Sequence, residues 1–153
     1  MRALGFRAEK TLVHFAVLDD SKPGTVTTDK LKLKGDRPTA PELGLLRNEV
    51  RNLIDTYKPD AVGLRLSDKP QSMRYIQSSF DRARVEGVVM EAAASKNVKV
   101  VAGASATIKS GMKTKRPLRE YADVDEVKGI DLSDKKNESL RDAVYAALAA
   151  MGK

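Results

Sequence analysis

The sequence predicts a single α/β domain built on one mixed sheet. Three observations carry that prediction. The first third holds three β-rich runs joined by tight turns. The middle switches twice between helical and strand periodicity. The chain then closes on an alanine-rich stretch with helical spacing. A length of 153 residues fits one domain, and 41% hydrophobic residues supply one core. No internal repeat, low-complexity segment or linker divides the chain.

Ala3-Leu4-Gly5-Phe6 is a short apolar run, and Glu9-Lys10 forms the turn after it. Leu12 to Leu18 is nearly continuous and β-rich, as in a strand covered on both faces. Asp19 to Gly24 is dense in turn formers. Val26, Leu31 and Leu33 follow among Thr and Lys, and Leu31 to Lys34 alternates as an edge strand does. Short turns between three strands imply an antiparallel meander. Thr39-Ala40-Pro41-Glu42 has capping-box spacing and opens a helix from about Ala40 to Tyr57, stopped by Pro59. Ala61 to Leu66 reads as a buried strand. A long helix runs from about Gln71 to Ser95, with Met73, Ile76, Phe80, Ala83, Gly87, Met90 and Ala94 as its inward stripe. Val98 to Ala102 is the next strand. The last helix spans about Asn137 to Met151, with Leu140, Val144, Ala147, Leu148 and Met151 inward. The order is βββαβαβα, and its strand–helix–strand units require parallel neighbours.

Composition removes several classes of chemistry. With no Cys there is no disulfide framework, thiolate zinc site or Cys nucleophile. One His, His14, rules out a multi-His metal cluster and leaves no base for a triad; within an apolar strand it reads as a satisfied core or edge residue. No apolar run is long enough to span a membrane. The N-terminus reads as a strand and not as a secretory signal, so a cytoplasmic protein is expected. Lys and Arg exceed Asp and Glu by 28 to 21, a net charge of +7, which raises nucleic acid as a partner. Gly103-Ala104-Ser105 follows a strand but lacks the Gly spacing and Lys of a phosphate-binding loop.

The βββαβαβα order is that of the ribonuclease H-like fold: a mixed five-stranded sheet with flanking helices. Several segments resemble RuvC-type Holliday-junction resolvases. Leu4-Gly5-Phe6 with the turn and strand after it resembles their first hairpin. Lys58 to Leu64 is similar to their second catalytic strand, and Ala83 to Val89 to their long helix. Val98 to Lys109 matches the strand and turn that follow. Asp142 to Leu148 resembles the C-terminal helix that carries their last acid. The resemblance implies a nuclease-type site of four clustered carboxylates holding two divalent ions, a DNA partner and a homodimer.

The acids depart from that pattern. By the resemblance, the first-strand acid falls on Arg7 and the central-strand acid on Arg65. Of the two helix acids, the earlier falls on Ser139 and only the later is kept, as Asp142. Two like unit charges about 4 Å apart repel by roughly 4 kcal/mol at an effective dielectric near 20, and a dication suffers twice that from each arginine. Arg stays protonated in proteins. The expectation is therefore a degenerate site with no metal and no catalysis, in which Asp142 pairs with Arg7 and Arg65. Two alternatives stand beside it. The arginines are ordinary strand-end residues, or Glu9, Asp68 and Glu138 rebuild a Mg²⁺-dependent nuclease with Asp142. Asp68, just past the strand, also reads as a helix N-cap.

Lys109, Lys113, Lys115, Arg116 and Arg119 precede any acid in the segment Ala106 to Glu120, which reads as a flexible loop suited to phosphate contacts or as a solvated surface. Six acids follow it, Glu120, Asp123, Asp125, Glu126, Asp131 and Asp134, and would fold over the basic loop or mark a protein contact. Arg74, Arg82 and Arg84 read as mixed helix surface. Among Tyr75, Phe80 and Tyr145, the aromatics available for base stacking, Phe80 fits the core stripe; 5% aromatic content opposes an extensive single-strand platform. The function expected is a nucleic-acid-binding or complex-forming subunit. A structure-selective nuclease and a protein-binding scaffold are the alternatives.

Overall fold

A computed structural model describes residues 1–68 and 76–153. Its first three strands are β1 (Arg2–Ala8), β2 (Leu12–Asp19) and β3 (Val26–Lys32), paired antiparallel as the short turns require. The chain then passes through α1 (Ala40–Tyr57), β4 (Ala61–Arg65), α2 (Ile76–Ala94) and β5 (Lys99–Gly103). Both helical crossovers return the strand parallel to its neighbour, β4 beside β1 and β5 beside β4. The sheet order is β3-β2-β1-β4-β5, so the alternating Leu31-Lys32 strand is an edge, as predicted. The five-stranded mixed α/β sheet is the one the sequence implied.

The two sheet faces carry separate cores. Leu4, Phe6, Val62 and Leu64 point to the side covered by α1 and α2. Ala3 and Ala61 point the other way, toward α4 (Glu138–Met151). Period-two alternation puts Gly5, Gly63, Arg7 and Arg65 on that α4 face as well. Gly5 lies opposite Gly63 in the parallel register, and Arg7 opposite Arg65. The glycines set how close α4 comes. A Cβ on Gly5 would stand 1.9 Å from the Ala143 carbonyl oxygen, and one on Gly63 would stand 1.9 Å from that of Ala146. The helix backbone thus lies directly on β1 and β4, and its Ala143, Ala146 and Ala147 leave room for nothing larger.

α1 begins where the sequence places it. Glu42 accepts from the Thr39 backbone N–H at 3.2 Å and from its hydroxyl at 2.8 Å, and Lys58 ends the helix in left-handed conformation before Pro59. α4 begins with Asn137 accepting from the Leu140 N–H at 2.9 Å.

Two expectations require correction. On α2 the buried residues are Asp81, Val85, Glu86, Val89, Ala92 and Ala93. Phe80 is 59% exposed and Met90 41%, so the stripe expected to face inward faces solvent; Met73 lies outside the described residues. The true inward stripe was hidden by its two carboxylates, each buried against donors. Asp81 accepts from Arg37, Gln77 and Arg84, and Glu86 from the Ser67 N–H and hydroxyl. Second, the basic segment is not loop at its start: Ser105–Gly111 forms a short helix, α3, and Ile108 and Met112 are fully buried against α4. Between α3 and α4 the chain forms a 3-10 turn at Leu118–Tyr121 and a small hairpin of β6 (Glu126–Val127) and β7 (Ile130–Asp131). This segment covers the outer side of α4, which is why that helix is buried from Ala143 through Ala150.

Candidate functional site

Arg7 and Arg65 stand side by side at the C-terminal ends of two adjacent parallel strands, two residues past the glycines that admit α4. Asp142 comes down on them from the first turns of that helix. Its Oδ2 lies 3.2 Å from Arg7 Nε and 3.8 Å from Arg65 Nε. The three side chains are only 12%, 7% and 13% exposed for Arg7, Arg65 and Asp142. The sequence expectation that one carboxylate pairs with both guanidiniums is met in geometry. Arg7 also donates to the Arg65 carbonyl at 3.1 Å, and Arg65 donates to the carbonyl of Leu66.

Among the described residues, the buried Nε atoms of Arg7, Arg65 and neighbouring Arg82 have no hydrogen-bond acceptor. Burial pushes the Asp142 carboxyl above its usual value; Arg7 and Arg65 pull it down, while Glu138 and Asp68 add to the rise. Burial likewise lowers Arg7, with Asp142 opposing and Arg65 and Arg82 reinforcing it. Both directions say that removal from water outweighs the mutual attraction.

A second carboxylate completes the pairing. Asp68 supplies it; the helix cap also expected of it falls on residues outside those described. Asp68 accepts from Arg65 Nη2 at 2.7 Å, from the Ser105 hydroxyl at 2.8 Å and from the Ser105 N–H at 3.2 Å. Ser105 in turn lies 2.6 Å from Arg65 Nη2. Burial raises the Asp68 carboxyl, but the bonds from Arg65 and Ser105 outweigh this and hold it below its usual value. The clamp joins the ends of β4 and β5 through the first residue of α3.

The cluster opens into a cavity of about 180 Å³, bordered by Arg65, Asp68, Ser105, Arg119, Glu138 and Asp142 among others. Glu138 is exposed and Ser139 half-buried on α4. Glu9 meets His14 at 3.2 Å, so that lone histidine is buried with a partner. Among the described residues no three acidic or His side chains gather to hold a metal. The donor set at Asp142, one carboxylate shared by two guanidiniums, does not fit a divalent ion.

Of the five basic residues, Lys113, Lys115, Arg116 and Arg119 are exposed, and Lys109 is half-buried on α3. No ion pair is found at any of the five among the described residues. Arg119 ties the group to the cavity. The acidic run does not fold over them by ion pairing: Asp134 pairs with Lys135, and Asp131 accepts from the Ser133 N–H. Arg84 pairs with Asp81, while Arg82 reaches the Ser67 hydroxyl at 3.3 Å; Arg74 and Tyr75 lie outside the described residues. Tyr145 is 2% exposed and donates to the Tyr121 carbonyl, so it is not available for stacking. The residues that sequence reasoning missed are Ser105, Glu86 and Arg141. None had a spacing signal, because each acts on a segment remote in the chain.

A groove of about 150 Å³ near Asp19, Asp20 and Lys22 has its acids engaged, Asp19 by Arg2 and Asp20 by Lys153 and the N-terminus. It offers no comparable cluster.

No family model and no curated protein matches the chain. Solved structures do match. RuvC of Thermus thermophilus in complex with a Holliday junction substrate superposes with a TM-score of 0.74 at 18% identity, covering 99% of this chain and 93% of that one. A second T. thermophilus RuvC structure gives 0.73 at 18% identity, with 99% and 94% covered. The yeast mitochondrial Holliday junction resolvase Ydc2 gives 0.53 at 10% identity, with 98% and 77% covered. The chain has the ribonuclease H-like fold in its RuvC form.

Proposed function

We propose that this domain is a nucleic-acid-binding subunit of RuvC-like shape that works without a divalent ion. The observation that carries the reading is the Asp142 carboxylate lying 3.2 and 3.8 Å from two guanidinium nitrogens. In a nuclease of the type the sequence resembles, that place belongs to metal-holding acids. Here a cation would meet two fixed positive charges and a carboxylate already shared.

Binding falls to the positive surface beside the cluster. Lys113, Lys115, Arg116 and Arg119 are exposed, and Arg119 borders the same cavity as Arg65 and Asp142. Such groups engage phosphates and release counterions, which gives affinity largely independent of sequence. The solved RuvC bound to a Holliday junction makes branched DNA the first ligand to try. Two copies acting together belong to the same reading.

A salt titration of filter binding on branched and linear DNA, with and without EDTA, tests it. Affinity is expected to fall steeply with salt and to survive EDTA. Replacing Lys113 and Arg116 with Ala is expected to weaken binding on all sequences and to reduce the salt slope by about one for each phosphate no longer neutralised. Cleavage in Mg²⁺ or Mn²⁺ that Asp142→Asn abolishes would overturn the reading in favour of a nuclease. Asp68 and Glu138, which border the cavity with Asp142, would then be its other acids. Absence of both binding and cleavage would leave a protein scaffold.

A further inference from the structure

Arg7 and Arg65 belong to a longer row. In the strand register Lys30 of β3 lies opposite His14 of β2, His14 opposite Arg7 of β1, and Arg7 opposite Arg65 of β4. Directly paired positions share a face, so all four start from the α4 side of the sheet. Basic residues thus run from the edge strand to the middle over three strand spacings, about 14 Å. The inner part of the row is balanced. Asp142 lies against Arg7 and Arg65, and Glu9 meets His14 at 3.2 Å. The outer end is not. Lys30 is exposed and has no ion pair among the described residues.

A second cavity opens at that end. It measures about 220 Å³ and is bordered by His14, Thr28, Asp29, Lys30, Asn137 and Leu140. The first turn of α4 separates it from the cavity at Asp142. Asn137 and Leu140 border the one, and Glu138, Arg141 and Asp142 the other. Its open groups are donors. Asn137 Oδ1 accepts from the Leu140 N–H at 2.9 Å, which leaves the amide nitrogen to donate. Among the described residues neither that nitrogen, nor the Thr28 hydroxyl, nor the Lys30 ammonium has a partner within the chain. The one carboxylate, Asp29, starts from the opposite face by strand alternation and accepts from the Lys30 N–H at 2.8 Å. An ammonium, a hydroxyl and an amide around one space match the oxygens of a phosphate.

From this we infer that the cavity between His14 and Lys30 is a second phosphate subsite, for the nucleic-acid strand that enters beside Arg119 and passes the first turn of α4 toward the sheet edge. The inference rests on the nucleic-acid reading above and gives the bound strand a path. Along about 14 Å one strand of a duplex carries about four phosphates, at 3.4 Å of rise each. The free cations at the two ends, Arg119 and Lys30, therefore hold different phosphates, and the balanced centre between them is passed over.

His14 is the only histidine in the chain, so its ring proton resonances report this cavity alone. The intact chain is titrated at one pH with a branched DNA duplex and, separately, with inorganic phosphate. The His14 signals are expected to move in step with DNA binding. Lys30→Ala, at an exposed position, is expected to keep the fold and to make the logarithmic salt dependence of DNA affinity shallower by about 0.9, the share of one phosphate. Lys22→Ala, exposed in the turn at the other end of β2 and β3, is expected to leave that slope unchanged. With DNA still bound, unmoved His14 signals or an unchanged slope in Lys30→Ala would overturn the inference and leave nucleic-acid binding to Lys113, Lys115, Arg116 and Arg119. Saturation of the His14 signals by inorganic phosphate but not by DNA would overturn it in favour of a free anion. A parent protein that binds no DNA at all would overturn the nucleic-acid reading and this inference with it.

Discussion

Arg141 and Asp142 are consecutive on α4, and each is buried among partners of a different kind. Arg141 points away from the sheet and is 2% exposed. It donates to four carbonyls, those of Lys135, Tyr121, Val124 and Leu132, and among the described residues has no carboxylate partner. Asp142 points toward the sheet and faces two guanidiniums whose Nε atoms find no acceptor. One centre is saturated with hydrogen bonds; the other is balanced in charge but short of them. A saturated cation fastens a segment, here the 3-10 turn and hairpin that cover α4. A balanced but unsaturated cluster holds its place because the surrounding backbone does, and it is the one that opens to a cavity.

The largest expected effect breaks the first centre. Arg141→Met keeps much of the volume but strips four carbonyls of their donor. The Tyr121 oxygen retains the Tyr145 hydroxyl, so the loss is expected near 4 kcal/mol by urea unfolding. A loss below about 1 kcal/mol would mean that water replaces the guanidinium freely.

Asp142→Asn comes next, at about 2–3 kcal/mol. That is below the usual figure for breaking a buried pair, because the amide oxygen still accepts and Asp68 still engages Arg65. The sharper comparison is Arg7→Met with Asp142→Leu. If burial outweighs attraction in this pair, as the displaced values of both groups say, the double variant is expected within about 1 kcal/mol of the parent. A loss as large as that of Asp142→Asn alone would reverse that ranking.

The smallest effect is in pH. Asp142 is raised in the fold, so its favourable contribution is fully present below the unfolded value and is lost as pH rises through the folded one. Asp68 and Asp81 are lowered. Their contribution is present above the unfolded value and lost as pH falls through the folded one. Unfolding of the parent and of Asp142→Asn from about pH 7 to 3 is expected to show the parent gaining on the variant toward acid. A difference that does not change with pH would place Asp142 nearer its ordinary value.

The sheet was legible because each strand announced itself by composition and each connection by length. Leu31 to Lys34 told its edge position, and Ala61 to Leu66 its burial. Arg7, Arg65 and Asp142 were legible through resemblance, since a register of strands converts three distant positions into one site. α2 was misread, because a helix with two apolar stripes does not say which one its own core takes. Asp81 and Glu86 made the true stripe look polar, and only their donors, Arg37 and Ser67, reveal it as buried. The Asp68–Ser105 clamp had no signal either, for it links a residue after β4 to one after β5.

By itself the sequence determined the local elements, their order and therefore the sheet, because period, turn chemistry and connection length act over a few residues. It also determined that arginines lie at the C-terminal ends of β1 and β4. Only the tertiary structure decided what those arginines meet. Gly5 and Gly63 bring the α4 backbone onto the sheet, and that approach carries Asp142 to both guanidiniums. Distances between segments far apart in the chain are set by packing, and packing is a property of the whole fold.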